Sequence, residues 1–538
     1  MKKILFLTLL VLTACSVDAY AAIIKGKVTA NGQGVAGVEV SDGTQVVTTD
    51  KKGRYQITSD KADSIVFIST PSGYRAKHID AIRPGFWHLL QKAPNKNETH
   101  NFILEKEDQS NYTVMFITDC HLVNEKGRDD LNKFKQDVLP ALKAKAEEEA
   151  KNGVVYTVNL GDFTQDSYWY KNNFNEQDGE KFIAQNGYPT PVYSVCGNHD
   201  NDPGINIGEG TDFKAAWCYR HTWGPACYSV NLGNDHWIFM DNIVYVNDGE
   251  PTPKWKGVKG NRKNLKVFAP RYLEWLKKDV SKVNPNARIY LCVHAPLIWV
   301  SKGQTKYNPQ LAELEKIFEK FERVDIFTGH THTLINNDES PFPRFHQHIL
   351  PSTSGNLWYE SHDMRAITID GCDRIIATVN WKGEIKFTSM EDSKSVMRIY
   401  DMTEVGKYYA TDKKCGIYHK LHPERAYYAD EKYRNVIYVN YWLLSPEESV
   451  EIVENGEVLP VKSVKKMDPL AEITYNISKM KENSKFKKLK KNACTHMFEA
   501  KAKTATSPIT VNIRNSHGKI IHTKTMERGI PFTPGNLK

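Results

Sequence analysis

The sequence lacks long hydrophobic runs: the one apolar stretch of note, Ile4 to Leu12, lies near the start and follows Lys2 and Lys3. That stretch is too short to span a bilayer, which takes about 20 apolar residues, and a basic flank before a short apolar run is typical of a secretory signal. We therefore expect residues 1–21 to be a signal peptide. The mature chain should be exported, periplasmic or associated with an outer membrane, with no transmembrane segment.

Two cleavage sites compete in this leader. Leu12-Thr13-Ala14-Cys15 is similar to a bacterial lipobox, in which Cys15 would become a lipid anchor. Ala19-Tyr20-Ala21 fits the small-residue pattern of an ordinary signal peptidase site. The sequence leaves lipoprotein and soluble forms both open.

Several common chemical signatures are also missing. The nine cysteines include no Cys-x-x-Cys pair, which argues against thiol redox chemistry and a zinc finger, although Cys218 and Cys227 are close enough in sequence to pair. The chain lacks the His-Glu-x-x-His motif of metalloproteases and the Pro-Cys-x-x-Cys motif of deaminases. A net charge of +8 is modest for 538 residues, so no nucleic-acid partner is expected.

The length predicts two or three domains, because a single core rarely exceeds about 300 residues. Residues 22–107 alternate apolar and polar residues between turns such as Asn31-Gly32, and resemble the transthyretin-like or immunoglobulin-like sandwich ahead of some exported hydrolases. Residues 108–397 alternate apolar strands with helical stretches, which predicts an α/β layered core. Residues 398–538 return to strand patterns and predict a second small β-sandwich.

Five short polar motifs each follow a predicted strand of the middle region. In chain order they are Asp119-Cys120-His121, Gly161-Asp162, Gly197-Asn198-His199-Asp200, His294 and Gly329-His330-Thr331-His332. Ligands of layered α/β proteins bind beyond the carboxyl ends of strands, so we expect the five motifs to meet in one site. Each motif is common by itself, and the ordered set of five is what is specific.

The residue types of these motifs suit divalent metals. Carboxylates and imidazoles bind Zn, Mn or Fe, and an Asn carbonyl oxygen can complete a coordination shell. In Asp-x-His and His-x-His, alternate side chains lie on the same side of an extended backbone, so both can face one ion. Gly161, Gly197 and Gly329 precede candidate ligands and suit sharp turns close to an ion.

This ordered set resembles the calcineurin-like metallophosphoesterase superfamily, and the whole chain resembles its exported bacterial subgroup with a β-module on either side of the catalytic domain. The resemblance implies a four-layer α/β/β/α sandwich and two divalent metal ions (Mn, Zn or Fe). It also implies a role for each motif residue: Asp119, His121 and His332 would hold the first ion, Asn198, His294 and His330 the second, and Asp162 would bridge both.

The resemblance further implies a mechanism. Two metals about 3.5–4 Å apart would lower the pKa of a shared water, and the bridging hydroxide would attack phosphorus in line. His199 would not bind metal but would stabilise the transition state or protonate the leaving oxygen. Purple acid phosphatases carry a Tyr three residues after the bridging Asp; here Gln165 stands, so a tyrosinate–Fe(III) pair is not expected. Gln165, Asp166 and Asp200 are candidates for supporting positions, and the sequence leaves open which residue orients His199.

The expected substrate is a small-molecule or lipid phosphate ester, either a monoester or a diester. Aromatic residues near the motifs could stack on it, although each alone is more often a packing residue: Trp169, Tyr170, Trp217, Trp223, Trp299, Trp358 and Tyr359. Ser352–Asn356 is a candidate pocket lining, and the basic stretch Lys479–Lys491 predicts a solvated loop or, less favoured, a docking site for anionic lipid or polysaccharide. The alternatives are a non-catalytic envelope binding protein on the same scaffold, or a hydrolase of pyrophosphates or phospholipid headgroups. The oligomeric state stays open.

Overall fold

The computed structural model describes residues 21–206, 208, 210–247, 261–301, 304–337, 340–355, 358, 365–445, 447–478 and 494–535. Residues 1–20 of the predicted signal peptide lie outside this set, including Cys15 of the lipobox and Ala19 and Tyr20 of the alternative cleavage site. Asn356, Tyr359 and the stretch Lys479–Lys491 lie outside it as well. Within the described residues, no helix has both the length and the apolar character needed to cross a membrane.

The N-terminal module consists of ten strands in two sheets, one of six strands built around β1 and one with the order β4-β3-β6-β8. In β5 every second residue is buried, as expected of a strand with one face on a core. The strands are β1 (Ala22–Ala30), β2 (Gln33–Gly34), β3 (Glu39–Ser41), β4 (Val46–Thr48), β5 (Arg54–Ser59), β6 (Ile65–Ser69), β7 (Tyr74–Ala76), β8 (Trp87–Leu89), β9 (Glu98–Thr99) and β10 (Phe102–Lys106).

The central module is built on two sheets whose inner faces share one apolar core. The five-stranded sheet has the order β13-β12-β11-β24-β25, and the six-stranded sheet has the order β14-β15-β18-β21-β23-β22. Two short hairpins, β16-β17 and β19-β20, extend from this core. The strands are β11 (Tyr112–Ile117), β12 (Val154–Asn159), β13 (Val192–Ser194), β14 (Cys227–Leu232), β15 (Asp235–Met240), β16 (Val244–Asn247), β17 (Arg262–Leu265), β18 (Arg288–Cys292), β19 (Ile298–Ser301), β20 (Gln304–Tyr307), β21 (Val324–Thr328), β22 (Ile335–Asn337), β23 (Phe345–Ile349), β24 (Ile375–Asn380) and β25 (Ile385–Ser389).

Helices cover the outer face of each central sheet, which completes the four layers expected of the fold. The segment from 130 to 149 and α4 pack on the five-stranded sheet, and α7 and α8 pack on the six-stranded sheet. The helices are α1 (Asp130–Lys133), α2 (Leu139–Glu149), α3 (Trp169–Asn172), α4 (Glu176–Gln185), α5 (Thr211–Ala215), α6 (Trp217–Trp223), α7 (Pro270–Ser281) and α8 (Leu311–Ile317).

Pro140 does not end the first helical stretch, although the sequence suggested an interruption there. A π-helical turn, Phe134–Val138, joins α1 to α2, and Pro140 lies in the first turn of α2. Proline removes one N–H donor from a helix ladder, and a wider π turn next to it lets the chain continue without that bond.

The C-terminal module is the predicted sandwich, with sheets β26-β27-β31-β30 and β29-β28-β32-β33 that enclose an apolar layer. Three helices on its other side, α9, α10 and α11, were not predicted from the strand patterns. They form a separate core against the first of these sheets, to which α9 and α10 contribute tyrosines. The elements are β26 (Met397–Asp401), α9 (Met402–Thr411), α10 (Lys413–Leu421), β27 (Val436–Tyr441), β28 (Ser449–Glu454), β29 (Glu457–Val458), β30 (Val461–Lys466), α11 (Pro469–Glu472), β31 (Cys494–Lys501), β32 (Ile509–Arg514) and β33 (Ile520–Met526).

Candidate metal centre

The two central sheets place the predicted ligand motifs at one edge. β11, β12 and β13 are parallel, and so are β15, β18 and β21. The carboxyl ends of five of these strands therefore point the same way, and each of the five motifs follows one of them. All seven residues predicted to bind metal converge there: Asp119, His121, Asp162, Asn198, His294, His330 and His332.

The first group of side chains joins the Asp119 loop to the β21 loop. The Nε2 atoms of His121 and His332 lie 3.1 Å apart. His332 Nε2 also lies 3.1 Å from Asp119 Oδ1, and His121 Nε2 lies 3.7 Å from the same oxygen. Three ligand atoms therefore face a common point, in the combination of one carboxylate and two imidazoles expected from the sequence.

The second group surrounds His294. Its Nε2 atom lies 3.2 Å from Asn198 Oδ1, 3.2 Å from His330 Nδ1 and 3.3 Å from Asp162 Oδ2. The other ring nitrogen, Nδ1, donates a hydrogen bond to the Leu160 carbonyl at 2.8 Å. A ligating histidine commonly donates its second ring N–H in this way, which fixes the ring and leaves Nε2 as a lone pair.

Asp162 lies between the two groups. Its Oδ2 is 3.3 Å from His294 Nε2 in the second group and 3.8 Å from His121 Nε2 in the first. Its Oδ1 accepts a hydrogen bond from the His199 backbone N–H at 2.7 Å. One oxygen is thus held by the protein while the other faces both groups, as a bridging carboxylate requires.

One feature of this structure indicates that the donor set fits divalent metal ions: a buried carboxylate oxygen of Asp119 that accepts no hydrogen bond from the described residues. Asp119 Oδ2 accepts hydrogen bonds from Thr118 Oγ1 and from the His330 N–H, each at 2.8 Å, whereas the buried Oδ1 accepts none from the described residues. A buried carboxylate oxygen without a donor is costly unless an ion completes its environment. Nitrogen and oxygen donors at this spacing suit Zn, Mn or Fe.

The backbone around these ligands is strained. Five of the seven ligand candidates have positive φ: Asp119 (50°), His121 (46°), Asp162 (53°), His330 (67°) and His332 (61°). A non-glycine residue in this region costs about 1–3 kcal/mol and persists only where its surroundings hold it. Such strain concentrates at functional sites. The backbone of these turns therefore serves to position the candidate ligand side chains, and not only to reverse the chain direction.

Two glycines permit the close approach of these turns. A Cβ on Gly197 would lie 2.2 Å from the Asp162 backbone nitrogen and 2.3 Å from its Oδ1. A Cβ on Gly329 would lie 2.0 Å from Thr118 Oγ1 and 2.4 Å from Asp119 Oδ2. A side chain at Gly197 or Gly329 would therefore collide with a neighbouring motif loop, which explains why glycine is needed at these two positions.

Electrostatics favour the neutral form of His121 and His330 and the charged form of Asp119. Burial lowers the pKa of His121 to about 4 and, with the nearby His294, that of His330 to about 3. Burial alone would raise the pKa of Asp119, but His332 and His121 hold it well below its usual range. Burial alone would lower the pKa of His294, but the charge of Asp162 raises it. Neutral imidazole and ionised carboxylate are the forms that bind metal.

His199 is held by a pair of charged residues. Its Nδ1 donates to Asp166 Oδ1 at 2.7 Å, and the other oxygen of Asp166 accepts a short bond from Arg262 on β17. Burial alone would lower the pKa of His199, but the charges of Asp162 and Asp166 raise it to about 9. The ring stands edge-on to His121, with centroids 5.1 Å apart.

The three candidate supporting residues have different positions. Asp166 orients His199, which answers the question that the sequence left open. The described hydrogen bond of Gln165 is through its backbone, whose carbonyl accepts from the Tyr168 N–H at 3.0 Å. Asp200 joins two ligand loops, because its Oδ2 accepts from the N–H groups of Asp162 and Gly197, each at 2.8 Å.

Sequence reasoning missed Arg262 and Asn242. Asn242 holds the backbone directly after His294. Its side chain donates to the Ala295 carbonyl at 2.7 Å and accepts from the Ala295 N–H at 3.0 Å. Nothing in the sequence around Arg262 marks it, because its partner Asp166 is far away along the chain.

Three of the six described aromatic residues near the motifs are packing residues. Trp169, Trp223 and Trp358 are buried, and their indole N–H groups donate to Thr164 Oγ1, Glu176 Oε2 and the Cys120 carbonyl. Trp299 is half-buried, whereas Tyr170 and Trp217 are 40% exposed.

Two further predictions concern residues near the site. Ser352, Thr353 and Ser354 are buried instead of lining an open pocket, and Thr353 Oγ1 accepts from the Thr118 N–H at 3.1 Å. Cys218 and Cys227 are free cysteines, so the disulfide that their spacing allowed does not form.

Three family models match the chain in sequence order. They are described as the N terminal of calcineurin-like phosphoesterase (residues 22–107), calcineurin-like phosphoesterase (112–334) and the C terminal of calcineurin-like phosphoesterase (348–520). The middle match contains all five metal-binding motifs. A search of curated proteins gave no match.

Solved structures similar to this chain include metallophosphatases at low identity. A dimetal phosphatase from Danio rerio is 11% identical, with a TM-score of 0.32, over 50% of this chain and 91% of that one. A purple acid phosphatase from yellow lupin seeds is 12% identical, with a TM-score of 0.34, over 70% of this chain and 72% of that one.

Proposed function

Because the chain belongs to the calcineurin-like phosphoesterase family and is a phosphoric ester hydrolase, we propose that it hydrolyses phosphate monoesters or diesters at the centre described above. In this proposal Asp119, His121 and His332 hold one divalent ion, and Asn198, His294 and His330 hold the second. Asp162 is shared between them, and His199 is the catalytic residue. The identity of the metals, Mn, Zn or Fe, is left to experiment.

The convergence of the seven ligand side chains in two groups, with Asp162 between them, carries this proposal. One oxygen of Asp162 is held by a backbone N–H, and the other faces imidazoles of both groups. A degenerate, non-catalytic relative would be expected to have lost ligands or His199. This chain has every position filled.

When bound, two divalent ions would supply Lewis acidity and a nucleophile at neutral pH. The chain's own residues would do the rest. Asp166 holds His199 Nδ1–H, so the Nε2 of that ring is the atom free to face the ester. A protonated His199 could then donate its Nε2–H to the leaving oxygen, which avoids expulsion of an alkoxide. The positively charged Arg262 keeps Asp166 in place.

The test uses p-nitrophenyl phosphate and bis-p-nitrophenyl phosphate, with metal-stripped protein reconstituted with Mn, Zn or Fe. We expect metal-dependent turnover, and the preferred compound distinguishes a monoesterase from a diesterase. His199→Ala should retain two bound ions and lose about 10²–10⁴-fold in kcat, because general acid catalysis contributes on that order. Asp162→Asn should bind metal weakly and lose turnover.

Two results would contradict the proposal. Wild-type turnover by His199→Ala with metal bound would remove the catalytic role of that residue. Two bound ions with no turnover of either compound, and none with a panel of pyrophosphates and phospholipids, would instead support an envelope binding protein.

A further inference from the structure

A buried polar network joins the C-terminal module to the turn that carries His330 and His332. Asp370 lies on the segment between β23 and β24, and His496 lies on β31 of the C-terminal module. Both side chains are buried, and His496 Nε2 lies 3.2 Å from Asp370 Oδ2. The same oxygen accepts the Leu334 N–H at 2.8 Å, two residues after His332.

We propose that His496, acting through Asp370, is a positioning residue for the metal-ligand turn, so that the C-terminal module completes the metal centre. The inference rests on the proposed function, because it assumes that His330 and His332 bind metal. It assigns a role to a module that otherwise lies outside the chemistry.

The turn needs two anchors because it is strained. His330 and His332 both have positive φ, 67° and 61°. At its start the turn is held by Asp119, whose Oδ2 accepts the His330 N–H at 2.8 Å. At its end it is held by Asp370 through the Leu334 N–H. Without the second anchor the strained residues could relax, and the imidazoles would leave the positions from which they face the other ligands.

The carboxylate of Asp370 is itself fixed by its neighbours. Its Oδ1 accepts from Thr368 Oγ1 at 2.5 Å and from Cys372 Sγ at 3.1 Å. Burial alone would raise the pKa of Asp370, but the hydrogen bond from His496 keeps that pKa below its usual value. Asp370 therefore stays an acceptor for the turn as long as His496 donates to it.

The orientation of His496 is set inside the C-terminal module. Asn440 on β27 donates its Nδ2 to the Asp370 carbonyl at 3.0 Å and to Asp468 Oδ2 at 2.8 Å, which fixes the amide. Its Oδ1 is then an acceptor and lies 2.6 Å from His496 Nδ1. Nδ1 also lies 3.1 Å from Cys494 Sγ, so this side of the ring is held by Asn440 and Cys494 while Nε2 faces the Asp370 carboxylate.

A third metal ion is the competing interpretation of the same residues. Asp370, Cys372 and His496 each offer one ligand atom, and these atoms lie within 4.8 Å of one another. We favour the network because each oxygen of Asp370 already accepts two hydrogen bonds from protein donors. The number of ions bound by the wild-type chain distinguishes the two.

The experiment titrates metal-free full-length protein with Mn²⁺ by calorimetry and follows thermal unfolding of each variant. His496→Leu removes the ring nitrogens that face Asp370 and Asn440, whereas His496→Gln keeps an amide donor. Asp401→Asn is the matched control, because Asp401 forms a buried ion pair with Arg528 in the same module, away from the turn. We expect about 10-fold weaker Mn²⁺ binding for His496→Leu, as for other residues that support metal ligands. His496→Gln should recover part of this loss, and Asp401→Asn should bind like wild type.

Each result has one meaning for the proposal. Wild-type Mn²⁺ affinity in His496→Leu would overturn it, and so would a third ion in the wild type that disappears in His496→Leu while the other two bind normally. If His496→Leu does not fold, His496→Ala decides, because it also removes the group that faces Asp370 and adds no bulk. Unchanged Mn²⁺ affinity and unchanged amide exchange of residues 329–334 in His496→Ala would overturn the proposal. Failure of the wild type to bind two ions or to cleave any ester would count against the proposed function instead.

Discussion

Asp166 has a different partner on each side of its carboxylate. One oxygen accepts from His199 Nδ1, and the other accepts from Arg262. The side chain is buried, so an unpaired charge there would be costly, and the two partners share the task of keeping it ionised. Burial alone would raise the pKa of Asp166, but His199 and Arg262 keep that pKa below its usual value.

Replacement of Asp166 by Asn should lower kcat by about 100-fold, because His199 loses the charge that holds and orients its ring. KM and the number of bound ions should change little. Arg262→Gln should have a smaller effect, about 10-fold, since Asp166 would remain beside His199. Arg323→Gln is the control, because Arg323 pairs with Asp325 at the start of β21, away from the metal centre. The kcat of this variant should equal that of the wild type. Steady-state kinetics on p-nitrophenyl phosphate, with metal analysis, would check all three, and a normal kcat for Asp166→Asn would contradict this account.

At the scale of elements, the decisive parts are short turns between strands and helices. The Gly197–Asp200 turn touches the Gly161–Asp162 turn so closely that no side chain fits at Gly197. Asp200 then joins the same two turns through backbone N–H groups. The ligand positions therefore depend on contacts between loops that lie far apart in sequence.

Gly197→Ala should displace Asp162 and lose at least one bound ion, with about 2 kcal/mol or more lost in stability, since the new Cβ meets backbone atoms that cannot move aside. Gly416→Ala is the matched control, because Gly416 lies in α10 with no atom within 4 Å of an added Cβ. Alanine there should stabilise the protein by about 1 kcal/mol through helix propensity. Denaturant unfolding and metal analysis measure both effects, and full metal content in Gly197→Ala would show that the loop contact is dispensable.

At the scale of the whole molecule, the N-terminal module is joined to the catalytic core by polar contacts as well as apolar packing. Trp275 on α7 donates to Ser41 Oγ at 3.1 Å, and Ser69 and Ser229 are hydrogen-bonded at 2.8 Å. Glu39 lies at this seam, where burial and the charge of Asp279 raise its pKa to about 7. Lys282, 3.9 Å away, and His236 offset only part of this rise.

The raised pKa of Glu39 predicts a pH-dependent stability. The folded state holds the proton more tightly than the unfolded state, whose Glu pKa is near 4.5. The stabilisation is therefore complete below about pH 4.5 and is lost as the pH rises through about 7, with a difference of about 3 kcal/mol at most. Glu39→Gln should remove this dependence, so the variant should gain stability over wild type at pH 8.5 but not at pH 4.5. Parallel pH profiles of the denaturation midpoints would contradict the assignment.

Several whole-molecule predictions remain predictions. Export, the choice between a lipid anchor at Cys15 and a soluble mature form, and the absence of a nucleic-acid partner rest on the sequence alone. The domain limits at 107 and 397 are likewise predictions. Mass spectrometry of the mature N-terminus would check export and the lipid anchor, and limited proteolysis would check the domain limits.

The sequence by itself determined the family and the α/β class, and it predicted the ligand set. This was possible because few residue types bind metals and each motif directly follows a strand whose apolar pattern is visible. It could not decide that Asp166 orients His199 or that Arg262 supports Asp166. It also could not decide which of the aromatic residues near the motifs pack inward, as Trp169, Trp223 and Trp358 do. It also missed α9, α10 and α11; the tyrosines of α9 and α10 pack in a core that includes residues of β27 and β31, which follow later in the chain. These features depend on contacts between segments that are far apart along the chain. Only the tertiary structure brings His496 of the last module within 3.2 Å of Asp370 and so connects it to the metal-ligand turn.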